Sequence, residues 1–366
     1  IKSCTTTECV NGGAELTLGS ACCSCLEAQI IVKGGKLGLA AGDLIELYNA
    51  DEGAEPVKVG TFRLDKPAKK SDNVYKITAY DRIADLDKDL SAWLKSLTGR
   101  SYQLTTFAAM VCQACGLRYA PTDILNADFP VCEFYKAGVT GRQIMQWIAE
   151  CAGCFCRANS EGGIELAQFG GDPVAILTPS EGRYYFSGSL SYEDYVVPAI
   201  GGVCYNQGGY LYDASKNITG EDTQNPFVIS SGNKVLSKVY NPDETVKPVT
   251  LHNQLTAIGA YNPCKVSIPA CTDIHAGDIV TVITPDGRDL RMLVMTKTTS
   301  GQRDTLECTG SSGRDSSAAA NNVTTEQAAQ RAVDRLSAQD ILDKLGAAWT
   351  EVNGVRVLAK KEDISE

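Results

Sequence analysis

Between residues 22 and 81, apolar and β-branched residues alternate with polar ones in short runs broken by Gly, Asp, Asn and Pro, the pattern of half-buried strands. Together with "AELTLGS" just upstream, the runs "CLEAQIIV", "DLIELYN", "VKVGTFRLD" and "NVYKITAYD" are the predicted strands. After "AYD" the period lengthens. Ile83, Leu86, Leu90, Leu94 and Leu97 recur every three to four residues, which predicts one amphipathic helix with Asp81 as its cap. Phe107, Met110, Val111 and Ala114 form a second helical stripe, behind Thr105 or Thr106 as cap and ahead of Gly116 as stop. Thr140 and Gln143 have capping-box spacing before Ile144, Ile148 and Cys151, and Gly153 ends that helix. "CFCRANSEGGIELAQF" follows as a β-hairpin around a Gly-rich turn.

From residue 184 to 310 strand patterns return: "RYYFSGSLSYE", "AIGGVCYN", "GYLYD", "CKVSIPA", "DIVTVIT", "DLRMLVMTKTT" and "DTLECTG". "SSGRDSSAAANN", residues 311–322, reads as a linker, residues 323–345 as a helix with Thr324 and Gln327 at capping-box spacing, and "WTEVNGVRVL" as a hairpin turning at Asn353-Gly354. One phrase occurs twice. "AGDLIELYNA", residues 41–50, returns as "AGDIVTVITP", residues 276–285, and each copy opens a strand–turn–strand–turn–strand meander. The meanders over 41–80 and 276–310 are therefore expected to superpose. A sheet must close or be covered to hide its edges, which favours barrels. The predicted fold class is α+β, mainly β. Two related small β-barrels, residues 1–81 and 184–310, are separated by a helical α+β insert with three helices and a hairpin, 82–183, and followed by a helical C-terminal connector, 311–366.

Composition narrows the function more than the fold. The 366 residues are 43% hydrophobic and 21% charged, and no apolar run approaches the roughly 20 residues a membrane-spanning helix needs. A net charge of −10, spread along the chain, argues against sequence-independent nucleic-acid binding, which rests on clustered Lys and Arg against phosphates. The 15 cysteines are an odd number, and several lie in helical stripes where a reduced thiol packs as a small apolar group. That usage fits a reducing compartment better than a disulfide framework.

Candidate chemistry is sparse. The two histidines, His252 and His275, lie outside any His-Glu-x-x-His pattern and read as lone surface residues. The chain has no nucleophile elbow, no phosphate-binding loop and no dinucleotide-binding glycine pattern. A carboxylate-pair hydrolase has no fixed sequence spacing and stays open as an alternative. Cys112/Cys115 and Cys151/Cys154 have metal-type Cys-x-x-Cys spacing, but they fall on helical stripes instead of turns that wrap an ion, so core packing is the reading adopted. Cys22, Cys23 and Cys25 read as strand residues facing alternately. No catalytic, cofactor-binding or metal-binding residue is predicted, and no cofactor. Of three tryptophans, Trp93 and Trp147 lie on helical stripes and Trp349 in the tail, a poor platform for binding a glycan.

Several longer phrases, "LTLGSACCSCLEAQI", "VGTFRLDKPAKKSDNVYKITAYDRIADLDKDL" and "VTGRQIMQWIAECAGCFCRANSEGGIELAQF", resemble the tail-hub proteins of bacteriophages, the baseplate hub or tail-associated proteins also found in prophage-derived contractile particles. The resemblance covers residues 1–310. It implies a homotrimeric ring at the distal end of the tail, in which two tube-like β domains per chain face a hexameric tube. The implied partners are other copies of the chain, tail-tube and distal tail proteins, the tape-measure protein and a tip fibre or spike, without specific nucleic-acid binding or a membrane span. The implied location is the virion tail, assembled in the bacterial cytoplasm, and the implied role is structural, not enzymatic. The family also implies further strands ahead of Ile1 and a connector toward a fibre or spike after residue 310. The alternatives are a tail-associated cell-wall or glycan hydrolase and a glycan-binding adhesin.

Overall fold

In a computed structural model the described residues are 1–34, 36–50, 55–65, 67–97, 100–132, 138–207, 210–212, 226–229, 248–310, 347–352 and 355–360. The first β region holds β1 (Ser3–Cys9), β2 (Cys25–Ile31), β3 (Leu44–Asn49), β4 (Val57–Leu64), β5 (Ala68–Ser71) and β6 (Val74–Asp81). A 3-10 turn over Arg82–Asp87 leads into α1 (Ser91–Ser96), β7 (Ser101–Gln103), α2 (Leu104–Ala114), β8 (Pro130–Cys132), α3 (Gly141–Ala152), β9 (Phe155–Ala158) and β10 (Ile164–Ala167). Then come β11 (Pro173–Leu177), β12 (Ser191–Tyr192), β13 (Gly202–Gln207), β14 (Tyr210–Tyr212), β15 (Pro226–Ile229), α4 (Pro248–Thr256), β16 (Cys264–Pro269), β17 (Ile279–Ile283), β18 (Asp289–Leu293), β19 (Thr296–Ser300) and β20 (Arg303–Cys308). Contacts divide the chain into Ile1–Ala320 and Asn321–Glu366, and the latter carries the hairpin of β21 (Ala347–Val352) and β22 (Val355–Lys360). The 311–322 linker, the 323–345 helix and the Asn353-Gly354 turn lie outside the described residues.

The architecture is α+β and mainly β. A 10-stranded sheet runs β12-β16-β20-β19-β1-β2-β6-β4-β3, with β5 against β6. Strand β1 makes this one sheet: it pairs antiparallel with β2 on one side and with β19 on the other. The strand it forms was not expected from "SCTTTEC", which lacks apolar alternation. The "AELTLGS" stretch, conversely, is not a strand. Gly19 adopts φ +70°, and a Cβ there would meet the α3 backbone at Gln146 O, so this stretch is a loop pressed onto the helix. Cys22 and Cys23 also precede the strand, which begins at Cys25.

The two Ala-Gly-Asp phrases build the same turn. Asp43 Oδ2 accepts from Ala40 N at 2.8 Å, and Asp278 Oδ2 from His275 N at 2.7 Å. Gly42 (φ +92°) donates to Leu64 O, Gly277 (φ +100°) to Val294 O, and Leu64 N and Val294 N return to Asp43 O and Asp278 O, all at 2.8 Å. The strands beyond repeat as well. Ile45 faces Phe62 as Val280 faces Met292, and Leu26 faces Ala79 as Cys264 faces Cys308. In the first region the order is β1, β2, β6, then β4 with β5, then β3. In the second, β12, β16, β20 and β19 follow in the same order, and β18, continuous with β19, pairs with β17. Among the described residues these sheets are open paths.

The insert packs beneath this sheet. The Ile83–Leu97 stripe is not one helix. The 3-10 turn, capped as expected by Asp81 (from Ile83 N, 3.0 Å), ends at Lys88, because Asp89 is drawn into a bridge with Thr140 and Leu90 N donates to Val139 O. Helix α1 then restarts with Asp89 accepting from Ser91 N at 2.7 Å. Helix α2 begins at Leu104 behind Gln103, so Thr105 and Thr106 lie inside it and are not its cap. Helix α3 has the predicted capping box of Thr140 and Gln143 and ends in left-handed Gly153 (φ +67°). The β9–β10 hairpin turns with Asn159 Oδ1 accepting from Glu161 N and Gly163 N. "RYYFSGSLSYE" yields only a bridge at Tyr184 and the short β12. Parallel β11 on β17, and α4, were not anticipated.

Candidate functional site

The joint between the two β regions holds Lys297 and Asp304, two of the buried charged residues among those described. Along β1 and β19 the facing pairs run Thr5–Ser300, Thr6–Thr299, Thr7–Thr298 and Glu8–Lys297. Hydroxyls meet across it, Thr5 to Ser300 at 3.3 Å and Thr7 to Thr298 at 3.5 Å. Lys297, with its side chain only 5% exposed, donates to Cys271 O and Ile274 O, each at 2.7 Å, and lies 3.3 Å from fully buried Asp304. Asp304 also accepts from Cys271 N at 2.9 Å. Glu8 lies 3.9 Å from the same ammonium and 3.6 Å from His275 Nδ1. Burial pushes the Glu8 carboxyl up, but the hydrogen bond and charge of His275, with Lys297 and the Ala276 N–H, outweigh it and leave it below its usual range. His275 is exposed, as its sequence context suggests, but it does not stand alone, since Glu8 lies beside it.

A cavity of about 540 Å³ adjoins this joint, with Thr6, Phe62, Asp81, Arg157 and Lys297 among its lining residues. Arg157 pairs with Glu165 at 2.7 Å across the β9–β10 hairpin. Asp81, 4% exposed, accepts from Ser24 N at 2.9 Å and from Ile83 N. Burial raises its carboxyl to about 6 despite those bonds. The chemistry available is that of a clamp. The Lys297 ammonium spends its donors on two carbonyls and Asp304, so it is not a free nucleophile or base.

The cysteine pairs sit in the core. Cys112, Cys151 and Cys154 are fully buried in the same cluster as Phe107 and Ile148, and Cys115 is half-buried against it. Burial raises the Cys112 thiol to about 12 and that of Cys115 to about 11. The Cys115 sulfur points at Gly141, where a Cβ would lie 2.5 Å away, at the opposite end of α3 from Cys151. Among the described residues no three His, Cys, Asp or Glu side chains are placed to share an ion. Trp93 and Trp147 pack on the core. No helix of the described residues is long and apolar enough to cross a membrane.

No protein-family model and no curated protein matches the chain. Solved structures do. The 43 kDa tail protein of prophage MuSo2 from Shewanella oneidensis matches with a TM-score of 0.50 at 14% identity, over 83% of this chain and 91% of its own. A tail protein from Neisseria meningitidis MC58 matches with a TM-score of 0.52 at 12% identity, over 84% of this chain and 91% of its own. The chain has the fold of these tail proteins. At such identities the likeness is one of fold, carried by nearly the whole length of both partners. Within this chain the duplication is legible from the Ala-Gly-Asp phrases, whereas β1 has no periodic signal in the sequence.

Proposed function

We propose that this protein is a structural hub at the distal end of a phage or phage-like tail, joining the tail tube to the host-contacting tip as a ring-shaped homotrimer. Residues 1–81 and 184–310 serve as two tube-like β-barrel domains, 82–183 as the insert between them, and 311–366 as a connector toward a tip or fibre. The observation that carries this reading is the duplication: one turn, one strand order and one set of facing core pairs occur twice in the chain. Three such chains present six similar β units around an axis, the arrangement that lets a three-fold object meet a six-fold tube. Its partners are then other copies of itself, tail-tube, distal-tail and tape-measure proteins, and a tip fibre or spike. A net charge of −10 suits a lumen through which DNA passes without sticking.

The role is architectural. At the joint the buried Lys297 and Asp304 are consumed by each other and by backbone groups, as expected of a clamp. Light scattering and negative-stain microscopy of the purified chain, alone and with its tail-tube protein, test the reading. A three-fold ring with six similar lobes is expected. A stable dimer, or degradation of cell-wall material by the purified protein, would overturn it.

A further inference from the structure

The joint inside the chain has a counterpart in two strand edges that no further strand covers among the described residues. Strand β12 occupies in the second β region the place of β1 in the first, since Ser191–Lys265 and Tyr192–Cys264 repeat the pairs Thr5–Glu27 and Thr6–Leu26. Strand β5 likewise occupies the place of β19. Ala68–Lys76, Lys69–Tyr75 and Ser71–Val74 repeat Thr298–Thr305, Thr299–Asp304 and Ser300–Arg303, each ladder closing on a two-residue turn. Inside the chain the outer edge of β1 is covered by β19. The corresponding edges of β12 and β5 have no second strand among the described residues. An edge of unpaired backbone donors and acceptors is a template for another strand.

We propose that β5 of one copy pairs antiparallel with β12 of the next, repeating the β1–β19 joint and continuing the sheet from chain to chain. The proposal rests on the ring reading above and names the surfaces that close it. Transposing the in-chain register sets Tyr192 opposite Lys69, Glu193 opposite Ala68 and Ser191 opposite Ser71, with Lys70 taken up by the irregularity between Lys69 and Ser71. Asp194 then holds the position of Glu8. The charges fit. The in-chain joint has its acid, Glu8, on the β1 side and its base, Lys297, on the β19 side. The free edges keep that polarity, with exposed Glu193 and Asp194 beside β12 and exposed Lys69 and Lys70 on β5. Among the described residues none of these four side chains is in a salt bridge. Of the cations beside β12, Arg288 is engaged by Asp286 at 2.9 Å and by the hydroxyl and ring of Tyr192, and Lys265 by Glu307 at 3.2 Å. Because each joint sets a β1-type edge against a β19-type edge, contacts within and between chains alternate head to tail, and three chains close with six joints.

The test uses the full chain. Unlabelled and ¹⁵N-labelled protein are mixed, treated with a zero-length carbodiimide, and the products read by mass spectrometry. Cross-links between differently labelled chains are expected from Lys69 or Lys70 to Glu193 or Asp194. Lys69→Glu/Lys70→Glu and Glu193→Lys/Asp194→Lys should each weaken assembly at least about tenfold, like charges then facing each other. The chain carrying all four changes should recover it, which rules out misfolding as the cause. A trimer that gives no such cross-link and ignores both reversals would overturn this joint and leave the ring reading standing. A chain that assembles neither alone nor with its tail-tube protein would overturn both.

Discussion

Two buried acids set how individual residues of this molecule respond to pH and substitution. Asp81 caps the 3-10 turn from the end of β6, yet burial outweighs its two backbone bonds and lifts its carboxyl from an ordinary 3.8 to about 6. The folded chain thus favours the neutral acid. Its contribution is fully present below the ordinary value and is lost as pH rises through about 6, a swing of up to about 3 kcal/mol. Asp81→Asn keeps an acceptor for the cap without the titration. Urea unfolding from pH 4 to 7.5 should show the variant gaining on the parent as pH rises, and a constant difference would contradict this account. Asp304 matters for substitution instead, since it is fully buried with Lys297 held 3.3 Å away. Lys297→Met strands a fully buried carboxylate and should cost about 3–5 kcal/mol, whereas Lys297→Met with Asp304→Asn should recover much of it. A double-mutant cycle on the unfolding midpoints checks the coupling, and additive effects would exclude it.

At the scale of elements, matching turns sit in different surroundings. Gly42 and Gly277 share a left-handed backbone, but a Cβ on Gly42 meets nothing within 4 Å, while one on Gly277 would lie 2.7 Å from the Phe155 ring. Gly42→Ala should therefore cost only the backbone strain, about 1–2 kcal/mol. Gly277→Ala should cost about 1–3 kcal/mol more, because β9 cannot retreat from a packed core. Equal losses in thermal melts would show that the insert does not press on the second turn. The sequence carried the turns, α3 with both caps, the hairpin and the duplication, all of which rest on local chemistry. It did not carry β1, whose Thr-rich face is matched by Thr and Ser hydroxyls on β19 far along the chain. Nor did it carry the break in the Ile83–Leu97 stripe, imposed by the bridge from Asp89 to Thr140. The charge cluster of the joint was invisible for the same reason: Glu8 reaches His275 and Lys297 only once β1 has crossed to β19. What depends on neighbours in sequence was legible, and what depends on the joint was not.

Within residues 1–310, the two β regions are unequally supported. The second shares one continuous apolar cluster with the insert, from Val10 and Leu16 through α2 and α3 to Val266, Val280, Met292 and Leu306. The first has two small interiors, Leu26–Phe62–Ala79 and Ala28–Leu64–Ile77, each with partly buried neighbours. Its outer strands are open to solvent, with every residue of β5 exposed and Leu44 and Tyr48 of β3 about half exposed. Backbone hydrogen bonds in such strands open at lower free energy than those of a packed core. Amide exchange on the isolated chain should therefore be fastest in β3 and β5 and slowest in β16 and β20, with β1 protected by strands on both sides. Assembly then separates the two exposed strands. A ring closed through β5 and β12 should slow exchange in both and leave β3 as fast as before, because β3 is not at the proposed joint. Slowing at β3 with no change at β5 would place the contact between copies on the other edge of the first β region.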